Sequence, residues 1–169
     1  MATVQISVEE YLRTSYHPDC DYVDGEVQER NLGEFDHAAV QMFLGNWFFQ
    51  HRQEWQLHVL PEMRIRVSGR RVRIADLCLM ARSQPVEQVL TQPPLAAIEI
   101  LSPEDTVTRM MTKLNDYERM GIRTILIVDP NGRSFRYSGG SLEPLPSEAF
   151  DLPGSACRFD LAEIEKLLD

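Results

Sequence analysis

Three charged residues stand among apolar neighbours, and their types suit metal-assisted chemistry. Glu99 lies within residues 95–101, Asp76 lies within residues 72–80, and Lys113 follows on a segment with helical periodicity. Both runs predict buried strands, because they are apolar or small on both faces. An ionised carboxylate in such a strand costs several kcal/mol unless it is paired or binds a cation.

Lys113 falls on the buried face of its predicted helix, which covers residues 106–120. At 100° per residue, it lies between Met120 and Tyr117 on the face that Leu114 shares. This helix directly follows the strand that carries the glutamate and should pack back over the sheet. The ammonium could then reach both carboxylates.

Each of the three residues also has a simpler interpretation. Glu99 would lie at its strand's end and reach water or an arginine, Asp76 would cap a strand or form a turn, and Lys113 would extend to solvent. Two carboxylates on two apolar strands of one sheet are harder to explain in this way, because like charges held close together raise each other's pKa. A divalent cation between them removes that penalty.

Carboxylate oxygens are hard ligands, which favour magnesium or manganese over zinc. Two carboxylates and a backbone carbonyl would hold the ion, which polarises a phosphate and lowers the pKa of a bound water. Lys113 would orient that water or neutralise the charge that develops on the phosphate. The pattern therefore predicts metal-assisted hydrolysis of a phosphodiester.

The elements that must position these residues form a strand–helix–strand unit. The strand over residues 95–101 leads into the helix over residues 106–120, which Gly121 ends, and residues 124–128 form the next strand. Such a unit pairs its strands in parallel with a right-handed crossover.

The rest of the chain predicts antiparallel hairpins and further helices. These elements are a short helix from Ser7 to about Thr14, a hairpin over 21–29 around Asp24-Gly25, a helix over 36–53 with Asp36 as N-cap, strands over 57–60, 63–67 and 72–80, an edge strand over 134–137, and a short C-terminal helix. The fold class is therefore α/β with a mixed sheet.

The composition is that of one soluble domain spanning residues 1–169, with 43% hydrophobic and 25% charged residues. Three cysteines without C-x-x-C spacing, Cys20, Cys78 and Cys157, favour reduced packing thiols in a cytoplasmic protein. The N-terminus lacks the pattern of a targeting leader. No run reaches the roughly 18 apolar residues of a membrane span, so no membrane partner is expected.

The charge balance argues against binding nucleic acid through a broad positive surface. The chain has 17 basic and 26 acidic residues, a net charge of −9. Five arginines nevertheless cluster locally, namely Arg64, Arg66, Arg70, Arg71 and Arg73. Solvated arginines on an exposed hairpin are the simpler interpretation of this cluster.

The order of these motifs resembles the Uma2-type endonucleases of the restriction-endonuclease-like, PD-(D/E)XK superfamily. The segments that carry the resemblance are Asp21-Tyr22-Val23-Asp24-Gly25, His37 at a helix start, Ala75-Asp76, residues 93–103, Lys113 with Tyr117, and Gly121 followed by Ile127-Val128-Asp129-Pro130. They extend from about Val8 to the C-terminal helix, and residues 93–130 are the most specific part.

The resemblance implies a four-stranded mixed sheet core flanked by helices, with Asp76 and Glu99 as metal ligands and Lys113 as the catalytic lysine. In this branch the lysine has moved from the position of Leu101 to the following helix. The resemblance also implies two site neighbours without a defined role, Asp21 and His37. The simpler interpretation of the histidine is a residue at the helix start that faces solvent.

Two positions depart from the family pattern. Ala75 stands where the family usually has proline before the first metal-binding aspartate, and Arg109 stands where it commonly has an aspartate four residues before the lysine. The first changes backbone rigidity only slightly. The second removes a negative charge beside the site.

The leading hypothesis is a magnesium- or manganese-dependent endonuclease that cleaves DNA rather than RNA. Asp76, Glu99 and the Ile100 carbonyl would hold the metal, and Lys113 would activate water. A homodimer, frequent in this superfamily, would let two sites address two strands. The alternative is an inactive binding or interaction module of the same fold, in which Lys113 pairs with Glu99 and Asp76 pairs with an arginine of residues 64–73. A small-molecule hydrolase is a third class.

Overall fold

The computed structural model describes residues 5–31 and 33–166. Within these ranges the helices are α1 (Val8–Arg13), α2 (Phe35–His51), α3 (Val107–Met120) and α4 (Leu161–Glu165). Ser7 caps α1 by accepting a hydrogen bond from the backbone N–H of Glu10, as predicted, and Thr106 caps α3 through the N–H of Arg109. None of the described helices is long and apolar enough to cross a membrane.

Most of the described strands belong to one mixed sheet. The strands are β1 (Asp21–Val23), β2 (Glu26–Gln28), β3 (Leu57–Ser68), β4 (Arg71–Ala81), β5 (Ala96–Ile100), β6 (Thr124–Val128), β7 (Phe135–Ser138), β8 (Ser141–Pro144), β9 (Phe150–Asp151) and β10 (Arg158–Phe159). The sheet order is β2-β1-β4-β5-β6-β7-β8, with β3 on the other edge of β4, while β9 and β10 form a separate pair.

The predicted fold class is confirmed by this topology. β5 and β6 pair in parallel and are joined by α3, whereas the other strand pairs of the large sheet are antiparallel. The predicted hairpin around Asp24-Gly25 is formed by β1 and β2. Gly121 ends α3 with a φ of 102°, in the left-handed region that glycine adopts without strain.

The sheet separates two apolar layers. The layer on the α2 side includes Val40, Leu44, Trp47, Leu77 and Ile98. The layer on the α3 side includes Cys78, Ala97, Leu114, Tyr117 and Ile127. β5 contributes to both layers, which confirms that it is a central strand covered on each face. Cys20, Cys78 and Cys157 are all buried free thiols, as predicted.

Some predicted boundaries are wrong. Residues 57–60 and 63–67 belong to one continuous strand, β3. Glu62, at the predicted break, takes a φ of 53° and has no paired residue on β4, but pairing resumes in the same register at Met63. β7, predicted as an edge strand, is covered by β8, because the turn at Gly139-Gly140 returns the chain along it. Asp36 is not the N-cap of α2: the helix already begins at Phe35, so Asp36 lies within its first turn.

The alternation of β4 changes phase at Asp76. Strict alternation would place Asp76 on one face with Cys78 and Met80. Ala75 packs in the same α3-side layer as those two residues, however, so the phase shifts between Ala75 and Cys78. Asp76 stands at this shift, at the position where the register skips the facing residue of β3. Its carboxylate is thereby available to segments outside the sheet.

Candidate active site

A polar pocket lies where β4 and β5 meet the start of α2 and the side of α3. Its charged lining residues are Asp21, Arg30, His37, Asp76, Glu99, Asp105, Arg109 and Lys113, and Ile100 also lines it. The structure therefore brings every site residue named from the sequence into one pocket. They come from five different elements, β1, α2, β4, β5 and α3.

The Asp76 carboxylate is bound by three donors from separate segments. Its Oδ1 accepts a hydrogen bond from Arg30 at 2.6 Å, and its Oδ2 accepts one from the backbone N–H of Ile100 at 2.8 Å and lies 3.2 Å from His37 Nε2. Burial alone would raise the pKa of Asp76, but the His37 hydrogen bond and two nearby cations outweigh it and hold the pKa at about 2. Asp76 is therefore ionised at neutral pH.

Glu99 is only 2% exposed, and both of its carboxylate oxygens accept a hydrogen bond. Oε2 accepts one from Lys113 Nζ at 2.8 Å, and Oε1 accepts one from the Tyr117 hydroxyl at 2.6 Å. Burial raises the pKa of Glu99 to about 7, although the Lys113 charge opposes the rise. Burial also opposes the charge of Lys113, but nearby carboxylates outweigh it and raise the lysine pKa. The amine therefore stays protonated at neutral pH.

Lys113 is held by a second acceptor, the carbonyl of Ile74, at 2.7 Å from Nζ. An ammonium group has three hydrogens to donate, so one remains after the bonds to Glu99 and Ile74. Lys113 also lines the pocket. The remaining donor can therefore serve a ligand in the pocket without loss of the two bonds that fix the side chain.

Asp21 lines the pocket and belongs to a buried ion-pair network centred on Arg73. Its Oδ1 accepts a hydrogen bond from the backbone N–H of Ile74 at 2.9 Å, and its Oδ2 lies 3.1 Å from Arg73. Arg73 also pairs with Asp116 on α3 at 2.7 Å. The Ile74 peptide thus binds Asp21 through its N–H and Lys113 through its carbonyl. This network ties α3, and its lysine, to β1 and β4.

The start of α2 supplies two polar contacts to Asp76. His37 is partly buried against the aspartate, so the interpretation that it faces solvent is wrong. The Asp76 hydrogen bond raises the pKa of His37, against the effect of burial. Gln41, one turn later, donates to the Asp76 carbonyl at 2.8 Å and to Glu62 at 2.8 Å. Both residues therefore hold the part of β4 around Asp76 in place.

Arg30 is a site residue that the sequence did not indicate. Its guanidinium bridges Asp76 and Glu62. The adjacent Asn31 donates to Asp105 at 2.8 Å, which ties this segment to the loop before α3. Arg30 follows β2 in a stretch without periodicity, so no spacing rule connects it with a carboxylate 46 residues away. The positive charge of Arg30 was the only property in the sequence that could have suggested a role at the site.

The arginine cluster of residues 64–73 follows the expectation of solvated arginines at Arg70, whose side chain is 76% exposed, but not at three other positions. Arg64, Arg71 and Arg73 are not solvated, since each pairs with aspartates of the protein. The alternative pairing of one of them with Asp76 is also wrong, because Asp76 pairs with Arg30. The charge of these three arginines is therefore balanced within the protein.

The donor set fits a divalent cation that keeps several waters. Among residues 5–31 and 33–166, no three His, Cys, Asp or Glu side chains are grouped as a metal site. Asp76 and Glu99 remain as two hard carboxylates, and magnesium is commonly bound by one or two carboxylates with water. Three of their four oxygens accept a single hydrogen bond from the described protein, so each of these keeps a lone pair for a metal.

Comparison with known proteins gives a family match over most of the chain. Residues 8–139 match the family described as "Uma2: Putative restriction endonuclease". A comparison with curated proteins finds no match.

Two solved structures resemble the chain to different degrees. The crystal structure of "a putative nuclease belonging to DUF820 from Anabaena variabilis" is 18% identical, with a TM-score of 0.81, over 97% of this chain and 99% of that chain. At this identity, the likeness establishes the fold. The "cryoEM structure DrdV-DNA complex" has a TM-score of 0.43 and 17% identity, over 78% of this chain and 11% of that chain.

Proposed function

This chain belongs to the Uma2 family, and from that membership and the pocket we propose a nuclease that hydrolyses DNA phosphodiesters with magnesium or manganese. The observation that carries the proposal is the common lining of one pocket by Asp76, Glu99 and Lys113. Carboxylates can hold the cation for metal-assisted phosphodiester hydrolysis, and an ammonium can stabilise the charge that develops on the phosphate.

In the proposed reaction, Asp76 and Glu99 would hold the cation together with the carbonyl of Ile100. A bound cation supplies positive charge to the phosphate and increases the acidity of water. Lys113, fixed by Glu99 and Ile74, would direct its remaining hydrogen to the attacking water or to a phosphate oxygen. Tyr117 keeps the Glu99 carboxyl in one orientation.

The positive groups of the pocket support a polyanionic substrate. Arg30, Arg109 and Lys113 line it, and Arg109 stands where the family commonly has an aspartate. Its guanidinium donates to the Glu29 carbonyl, which holds it at the pocket. Arginine and lysine at a phosphate site position the backbone without reading its sequence. The family description as a restriction endonuclease supports DNA as the proposed substrate.

An inactive module of the same fold is the second candidate, and one observation favours it. Each oxygen of the Asp76 and Glu99 carboxylates already accepts a hydrogen bond from the protein. Arg30 in particular places a cation on Asp76, so the site's charge can be balanced without a metal. In this second candidate, Asp76 and Glu99 have a structural role as members of a buried ion-pair network.

A cleavage assay with matched variants separates the two candidates. Supercoiled DNA, linear single-stranded and double-stranded DNA, and RNA are incubated with protein in magnesium, manganese or chelator. The proposal predicts metal-dependent cleavage of DNA that falls by at least about a hundredfold in Asp76→Asn, Glu99→Gln and Lys113→Met. Arg119→Met, which removes an exposed cation from the same helix, serves as control.

Thermal melting provides a second readout that does not need turnover. Metal binding to the native state raises the melting temperature, and at a concentration about a hundred times Kd the gain is about 2.7 kcal/mol. We expect this rise with manganese in the wild type and its loss in Asp76→Asn. A wild type that neither cleaves DNA nor responds to metal would reject the nuclease in favour of the inactive module.

A further inference from the structure

The outer face of α2 is apolar and exposed, although the inner face of the same helix already fills the core. Phe35, Met42 and Phe49 are 85%, 72% and 51% exposed, while Leu44 and Phe48 are fully buried. Single exposed apolar residues are ordinary on a protein surface, but three large ones in line on one helix are unusual. A helix that is apolar on both faces is expected to be covered on both.

The exposed residues form one stripe with heptad spacing. Phe35, Met42 and Phe49 are each seven residues apart, so on a helix with 3.6 residues per turn they deviate from one line by only about 20° per step. Ala38 and Gly45 lie between them, and their small side chains leave room for another helix to approach closely. We define these five residues as the Met42 face. Large and small residues in alternation form the ridges and grooves of helix packing.

The Met42 face is symmetric about its central residue. An antiparallel copy laid across it places Met42 against Met42, and Phe35 of each copy beside Phe49 of the other. A two-fold contact requires this reciprocity, in which residue i meets residue j and j meets i. Val59 and Pro61 of β3 border the same groove and extend the apolar surface that a partner would cover.

The charges along one flank of this face are also self-complementary. Glu34 is the N-cap of α2 and Arg52 is its C-cap; the 18 positions between them correspond to five helical turns, so the two caps start from the same flank of the helix. A two-fold axis perpendicular to the helix makes the two copies of α2 antiparallel and places the same flank of both copies on one side of the contact. Glu34 of one copy therefore faces Arg52 of the other. Within the described ranges, neither residue forms an ion pair, and the Arg52 guanidinium lies 3.6 Å from the centre of the Phe49 ring.

We propose that the Met42 face docks against the same face of a second copy, forming an antiparallel two-fold dimer through α2. The apolar stripe supplies the buried contact, and the two reciprocal Glu34–Arg52 pairs select the antiparallel orientation. This inference is independent of nuclease activity. Because α2 also carries His37, the dimer joins the helices that border the two pockets.

The first test measures mass by sedimentation velocity over a series of concentrations, using the full chain. The wild type should sediment at twice the monomer mass. Met42→Glu should raise the dimer dissociation constant by about a hundredfold or more, because it places two carboxylates at the centre of the contact. Val86→Glu, at a residue that is 75% exposed and outside α2, should leave the constant unchanged. Circular dichroism checks that each variant stays folded.

The second test exchanges the flank charges. Glu34→Arg and Arg52→Glu should each weaken the dimer by about tenfold, and the double variant should restore affinity to within about threefold of the wild type. A wild type that stays monomeric at every concentration would overturn the proposal. So would a dimer that tolerates Met42→Glu, or one in which the double variant is weaker than both single variants.

Discussion

Substitution of Lys113 by methionine removes an ammonium from the pocket while keeping a long apolar side chain. Lys113 is 9% exposed and donates to Glu99 Oε2 at 2.8 Å and to the Ile74 carbonyl at 2.7 Å. The variant leaves the buried Glu99 with Tyr117 as its remaining partner and removes a hydrogen bond from a buried carbonyl. Removing one member of a buried pair costs about 3–5 kcal/mol. We expect the free energy of unfolding to fall by that amount.

The measurement is urea-induced unfolding followed by circular dichroism at neutral pH. The double variant Lys113→Met/Glu99→Gln removes both charges. Its loss of unfolding free energy should therefore be about 2 kcal/mol smaller than the sum of the losses of the two single variants. Arg119→Met, at an exposed position of α3, should change stability by no more than about 0.5 kcal/mol. Equal losses for Lys113→Met and Arg119→Met would refute the view that a buried ion pair stabilises the site.

Two further substitutions test the elements that hold the pocket. Arg73→Met removes the cation that pairs with Asp21 and leaves Asp116 with Arg71 alone, so urea unfolding should show a loss of about 3–5 kcal/mol. Arg70→Met, at an exposed arginine, should show almost no loss, and a loss below about 1 kcal/mol for Arg73→Met would contradict the network. Gly121→Ala forces a side chain into a φ of 102°, so thermal melting should show a loss of about 1 kcal/mol, and an unchanged melting temperature would contradict the left-handed cap.

Much of the central fold follows from local patterns in the sequence. β6 occupies the predicted residues 124–128, α3 begins one residue inside its predicted range, and Gly121 ends it. Helical and strand periodicities depend on neighbours within a few residues, so they can be read without knowledge of the fold. The conflict between charged residues and apolar surroundings likewise marked Asp76, Glu99 and Lys113 before any contact was visible.

Other features depended on the path of the chain in space. The hydrophobic pattern breaks at Pro61-Glu62, yet β3 continues because a left-handed residue absorbs the break. The pattern at residues 134–137 was sufficient for a strand but could not show that a glycine turn adds β8 outside it. Neither the left-handed residue within β3 nor the strand added by the turn is contained in the periodicity of the strand concerned.

By itself, the sequence determined which residues were out of place in their elements, and therefore which charges had to find partners. Only the tertiary structure decided those partners: Arg30 for Asp76, Arg73 for Asp21, and Tyr117 beside Lys113 for Glu99. The reason is that burial penalises an unpaired charge wherever the chain places it, while the cation that relieves the penalty can come from any segment that the fold brings within a few ångströms.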